Sequence, residues 1–186
     1  MSDARLFVAV ELPGRERELL ARWGSLAAEG DPALRAVREE ALHITLHFLG
    51  SRPEAEIGAL ADAVRESGAH VTRPVDLRLA GSLWLAPRRP HVLTCAVGDV
   101  SDDLASLQRS LAGPLADAAP RWTSGHRDLT PHITVARVHR GARPRVGAEP
   151  AAPTSAFSAA ALTLLRSWLG RPAARYEALQ RFELPR

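Results

Sequence analysis

The tetrapeptide His43-Ile44-Thr45-Leu46 returns as His132-Ile133-Thr134-Val135, and this duplication limits what the chain can fold into. Each copy is apolar at its second and fourth positions and β-branched at its centre, which predicts a strand. Side chains alternate along a strand, so His43 and Thr45 share one face while Ile44 and Leu46 take the other. The same holds for His132 and Thr134 against Ile133 and Val135. Two strands that each offer one imidazole and one hydroxyl predict a single site assembled from two halves.

The repeat extends beyond the tetrapeptide. Leu6 to Leu12 is an apolar run stopped by Pro13-Gly14, short enough for a buried strand. Leu19, Leu20, Trp23, Leu26 and Ala27 then recur at helical spacing over residues 14–28, and Gly30-Asp31-Pro32 ends that helix. Residues 33–41 are polar and ambiguous, and the first histidine strand is expected to end near Gly50. Ser51 and Pro53-Glu54 predict the start of a helix over about 54–67, with Ile57, Leu60, Ala61 and Val64 inward. Val75 to Leu85 reads as one or two strands broken near Gly81, before the turn Pro87-Arg88-Arg89-Pro90. The order then begins again. His91 to Val97 is an apolar strand, and Leu104, Leu107, Leu111 and Leu115 mark a helix over 101–118. Ser101 and Asp102 are its capping candidates, and Gly113-Pro114 is expected to bend or shorten it. The second histidine strand follows.

Beyond it, the Gly/Pro/Arg/Ala stretch 140–153 predicts an exposed loop, and Ala160 to Leu169 and Ala174 to Leu184 a hairpin turning through Gly170-Arg171-Pro172. The expectation is an α+β protein, one domain over residues 1–186, built as a bilobal, pseudo-twofold duplicated unit. Two antiparallel sheets would face a central cleft with helices on the outside.

Composition narrows the function classes. A net charge of +3 does not by itself mark a nucleic-acid binder, but every basic residue is Arg and none is Lys. Arginine forks suit phosphate, so a phosphate-bearing partner is permitted. Cys95 is the only cysteine, which excludes an internal disulfide, and it reads as a small buried apolar residue. The N-terminal residues lack the apolar run of a signal peptide, and no stretch approaches the ~20 apolar residues of a membrane span, so a cytoplasmic protein is expected.

Breaking a P–O bond beside a ribose hydroxyl needs a base for the nucleophile and an acid on the opposite side of phosphorus. Histidine suits both tasks near neutrality, its reference pKa being ~6.5. A hydroxyl two residues along the same face could hold a non-bridging oxygen, so two His/Thr pairs would embrace one phosphate with no metal or cofactor required. A metal site is the competing reading, because His43 and His47 stand four apart. On a strand that spacing is about 13 Å, too far to share an ion. His47 is read instead as a rim or solvated residue, and His70, His91, His126 and His139 carry no usable signal.

The paired HITL and HITV motifs, the opening RLFVAVELP, the extended HITLHFLG and PHITVAR, and the closing ARYEALQRFEL resemble the bacterial RNA 2′,3′-cyclic phosphodiesterases, also called the 2′-5′ RNA ligase family, within the two-histidine phosphoesterase superfamily. The resemblance covers nearly the whole chain and implies a bilobal α+β fold with the histidine strands lining the cleft. It implies His43 as proton donor, His132 as proton acceptor, Thr45 and Thr134 as phosphate-binding hydroxyls, and Arg137 as a further site residue. Strict alternation places Arg137 on the face opposite His132, so the strand must end or bulge, or the side chain must fold back.

The chain departs from the family where Val37-Arg38-Glu39-Glu40-Ala41 replaces an aromatic residue and prolines, and His47 occupies a variable position. Phe7, Phe48 and Trp84 could stack on a base or fill the core. Arg140, Arg143 and Arg145 could meet an RNA backbone or be plainly solvated. The activity implied is opening of terminal 2′,3′-cyclic phosphates on RNA or oligonucleotide ends by a monomer. The alternatives are 2′-5′ ligation or 2′-5′ phosphodiester cleavage at the same site, and a binding module without catalysis.

Overall fold

The structure, a computed structural model, describes residues 2–86, 88–124, 129–168, 170 and 174–186. Its strands are β1 (Asp3–Glu11), β2 (Leu34–Ala36), β3 (His43–Pro53), β4 (Asp76–Leu85), β5 (Val92–Asp99), β6 (His132–Val138), β7 (Ala156–Ser158), β8 (Ala161–Trp168) and β9 (Arg175–Glu183). Three helices accompany them among the described residues, α1 (Gly14–Gly30), α2 (Ile57–Ala69) and α3 (Asp103–Ala118). All strand pairings are antiparallel, in the order β7-β4-β5-β6-β3-β1-β8-β9, with β2 added on β6. The fold is α+β, and the strand order repeats about its middle. The histidine strands β3 and β6 are central, each flanked by the strand that opens its half, β1 or β5. The two expected sheets are joined into one continuous sheet through a single pair, Ile44 opposite Ile133.

Each helix that follows an opening strand covers the other half's histidine strand. Helix α1 lies so close to β6 that a Cβ at Gly24 would come within 2.6 Å of the Val135 carbonyl oxygen. From the other side, His47 on β3 bonds the Gln108 carbonyl of α3 at 2.7 Å, and the Trp122 indole N–H donates to the Phe48 carbonyl at 2.9 Å. Helix α2 sits between α3 and the β8–β9 hairpin. Leu20, Leu60, Val64, Leu104, Leu111 and Leu115 are completely buried on these helices, each adding about 1.5–3 kcal/mol of apolar burial.

Several boundaries differ from the sequence reading. Strand β3 runs past Gly50 to Pro53 because β1 pairs with it out to Asp3. Helix α2 therefore starts at Ile57, after a 3₁₀ turn over Glu54–Glu56. The ambiguous 33–41 stretch holds β2 and a 3₁₀ turn, Glu39–Ala41. Leu26 is 47% exposed rather than inward. Helix α3 runs through Pro114 and is not capped by Ser101 or Asp102. Asp102 stands at φ +62°, and the Asp99 carboxylate accepts from the N–H groups of Leu104 and Ala105 instead. Gly81, at φ +108°, marks the expected break in β4, which is a bulge within one strand. The hairpin is β8–β9, and Pro87, Leu169, Arg171 and Pro172 of the expected turns lie outside the described residues.

Candidate active site

The Ile44–Ile133 pair sets the geometry of the cleft. Both side chains are completely buried on the helix side, so their neighbours His43, Thr45, His132 and Thr134 emerge on the opposite face. In that antiparallel register His43 comes level with Thr134, and Thr45 with His132. Each half thus sets its imidazole against the hydroxyl of the other.

The two imidazoles are held alike. His43 Nδ1 lies 2.8 Å from the Ala41 carbonyl, and His132 Nδ1 lies 2.8 Å from the Thr130 carbonyl. A carbonyl only accepts, so each Nδ1 carries the hydrogen and each Nε2 is left for chemistry. His43 Nε2 is 3.1 Å from Thr45 Oγ1, which donates to it when the ring is neutral. Burial is the main influence on His43 and pushes its pKa down to about 4. The Ala41 carbonyl opposes that, while the positive charges of Arg137 and His132 reinforce it. Burial therefore favours the neutral form of His43 at pH 7.

The burial of His43 comes from aromatic rings that sequence reading only half identified. Phe7 lies 4.9 Å from the imidazole, and Tyr176 stands edge-on to it at 5.3 Å and 84°. Tyr176 also meets Phe7 edge-on at 5.1 Å. Tyr176 was not singled out from the sequence, because its place beside His43 depends on the order β3-β1-β8-β9, which sets the two residues on strands far apart in the chain. Glu11 was also missed. It is level with His43 in the β1–β3 register, but its carboxylate accepts from Thr163 at 2.7 Å and from Arg181 at 2.9 Å. These bonds keep the carboxylate from serving as a partner for His43.

Arg137 reaches the cleft by a bulge. Along β6, Ile133, Val135 and Ala136 are buried and Arg137 is exposed, because Leu93 pairs with Ala136 while Thr94 pairs with Thr134. Val135 is the extra residue, and it reverses the alternation so that Arg137 joins His132 and Thr134. Strand β3 carries the same bulge at Leu46, between the Val8–His47 and Ala9–Thr45 pairs. There it turns Phe48, 69% exposed, onto the histidine face and turns His47 inward, 5% exposed. The expectation of His47 as a rim or solvated residue is thereby corrected. Its ring meets Trp122 edge-on and donates to the Gln108 carbonyl, and burial lowers its pKa.

The other candidates fall elsewhere. Trp84 packs against the core and bonds Glu149 at 3.2 Å, and Cys95 is completely buried, with its thiol pKa pushed up by that burial. Residues 139–155 contain no strand or helix, and Arg145 is tied to the end of α1 by its bonds to Asp31 and Gly30. Arg140 and Arg143 are exposed. Among the described residues no three His, Cys, Asp or Glu side chains gather as a metal-ligand group. A separate concavity of about 700 Å³, lined by Arg78, Leu79, Gly81 and Ser155, contains none of the histidine-strand residues.

Against known proteins, the description "2′-5′ RNA ligase superfamily" matches residues 15–170, most of the chain. The chain belongs to this superfamily. A superfamily relative from Escherichia coli K12, named RNA 2′,3′-cyclic phosphodiesterase, is 30% identical over 97% of this chain and 96% of its own length. A Geobacillus stearothermophilus protein of the same name is 29% identical over 99% of this chain, which spans only 58% of that relative's length. The crystal structure of TT0787 from Thermus thermophilus superposes with a TM-score of 0.81, at 26% identity and 97% coverage of both chains. No helix among the described residues is long and apolar enough to cross a membrane.

Proposed function

We propose that the protein hydrolyses terminal 2′,3′-cyclic phosphates on RNA or oligonucleotides to 2′-phosphomonoesters, with His132 as base and His43 as acid. The class of reaction follows from the superfamily and from the activity named for its relatives. The observation that supports the mechanism is the matched pair of Nδ1 hydrogen bonds, at His43 and at His132, which turns both Nε2 atoms to one face, that of His43 toward the Thr45 hydroxyl.

His132 Nε2 accepts a proton from water as the water oxygen attacks phosphorus. The P–O3′ bond breaks opposite, and His43 Nε2–H delivers its proton to O3′, leaving the phosphate on O2′. Thr45, Thr134 and Arg137 bind the non-bridging oxygens, where the Arg137 fork meets the charge that builds in the transition state. No metal ion is required, because hydroxyls, imidazolium and guanidinium carry that charge. His43 must be protonated for this role although its burial favours the neutral ring. The substrate's phosphate anion acts in the opposite direction to burial, offsetting the charges of Arg137 and His132 and favouring the imidazolium. Phe48, exposed at the mouth of the same face, offers its ring to the terminal base.

The test is product analysis on an oligonucleotide ending in a 2′,3′-cyclic phosphate, in buffer with a chelator and with a 5′-hydroxyl oligonucleotide present. A 2′-phosphomonoester is expected. A 3′-phosphomonoester, a joined product or a requirement for added metal would overturn the reading.

A further inference from the structure

Arg35 and Arg137 are directly opposed across the β2–β6 ladder. Opposed residues of an antiparallel pair point to the same face, so Arg35 shares the cleft face that the β6 bulge gives to Arg137. Its neighbours agree, since Leu34 before it is buried and Arg35 is exposed. Like charges placed opposite one another destabilise a ladder unless an anion lies between or beside them. Among the described residues neither arginine has an acidic partner within ion-pair distance.

The position of β2 says which anion fits. Strands β2 and β3 line the same edge of β6 in succession, with Arg35 level with Arg137 and His43 level with Thr134. With Val135 bulged out of the ladder, two steps of β6 separate those levels, roughly 7 Å along a strand. Arg35 thus stands level with Arg137 but one strand over, on the edge of β6 that β3 also lines, at a distance from the histidine pair suited to a second phosphate.

We propose that Arg35 binds the phosphodiester on the 5′ side of the terminal nucleotide, making the protein selective for oligonucleotide ends over free cyclic mononucleotides. This rests on the hydrolase reading above for its register. A nucleoside 2′,3′-cyclic phosphate has no such phosphodiester, so only the longer substrate engages Arg35. The loss of one phosphate contact also lowers the salt dependence of single-strand binding, by about 0.7 in the slope of log affinity against log salt.

The experiment compares the wild type with Arg35→Gln and Arg35→Lys on a trinucleotide ending in a cyclic phosphate and on the matching cyclic mononucleotide. In parallel, binding of the trinucleotide 2′-phosphate and of the nucleoside 2′-phosphate is measured over a salt series. The expected result for Arg35→Gln is a fall of about tenfold in the trinucleotide-to-mononucleotide ratio of kcat/KM, expressed in KM, with a shallower salt slope for the trinucleotide alone and partial recovery in Arg35→Lys. An unchanged ratio, or an equal loss on both ligands, would overturn the proposal. Binding is read without turnover, so a wild type that binds both ligands with the expected ratio yet hydrolyses neither would refute the hydrolase reading and leave the Arg35 subsite standing.

Discussion

Phe48 and Arg137 occupy the same step of the two histidine strands, and the same bulge carries both onto the histidine face. The duplicated unit is symmetric in backbone and unlike in side chain at this step. One half sets an arginine beside its histidine and threonine, and the other sets an aromatic ring there. A cleft that is symmetric in its imidazoles and hydroxyls thereby acquires a charged side and an apolar side, which under the proposed function would let a nucleotide dock in only one sense.

The acid–base assignment predicts that His43→Ala and His132→Ala each lower turnover of a cyclic-phosphate oligonucleotide by roughly 10²–10⁴. Unchanged circular dichroism would show the fold intact. Because the two groups act in one step, the double variant should lose little more than either single one. Full activity in either single variant would sink the assignment.

The pKa of His43 predicts how the free site titrates. Its imidazole should protonate near pH 4 without ligand, and at higher pH when inorganic phosphate or a nucleoside 2′-phosphate is bound. Imidazole proton NMR would follow both titrations, and a ligand that leaves the His43 titration where it was would contradict the proposed acid.

The same shift has a consequence for stability. The folded-state pKa lies below the ~6.5 of an unfolded histidine, so between those values the unfolded chain binds more protons. The contribution is fully present above about pH 6.5, falls as pH drops toward 4, and is gone below that. An upper bound is on the order of 3 kcal/mol. Urea unfolding across this window should show His43→Gln to be less acid-sensitive than the wild type, and His47, lowered in the same direction, should retain part of the slope.

Arg137→Lys keeps the charge and loses the fork. Arg137→Ala should lower kcat by about 10²–10³, the loss expected from removing one stabiliser of developing charge, with Arg137→Lys between the two. Equal kinetics for Arg137→Lys and wild type would show that a point charge suffices there.

Gly24→Ala should destabilise the protein by about 1–3 kcal/mol, because the new Cβ would press on the Val135 carbonyl within the β6 bulge. Thermal unfolding measures that loss. Turnover at a temperature where the variant is folded should also fall, since any shift of Val135 moves Thr134 and Arg137 with it. An unaltered Tm would mean that α1 is not seated as closely as described.

By itself, the sequence determined the elements whose signal is local. The two HxTx strands, the faces of His43, Thr45, His132 and Thr134, and the helices marked by Leu20 and Trp23 or by Leu104, Leu111 and Leu115 follow from side-chain period, which any short window displays. Tertiary structure alone decided what depends on a partner strand or on a one-residue offset. The bulges at Leu46 and Val135 bring Arg137 and Phe48 to the site and turn His47 away from it, and no periodic pattern encodes a single extra residue. The exchange of α1 and α3 between the halves, the approach of Tyr176 to His43 and the pairing of Arg35 with Arg137 join residues far apart in the chain. The Ile44–Ile133 pair closes two similar halves into one sheet, which lets α1 and α3 cross between them and sets β2 beside β6, while the β3-β1-β8-β9 succession brings Tyr176 to His43.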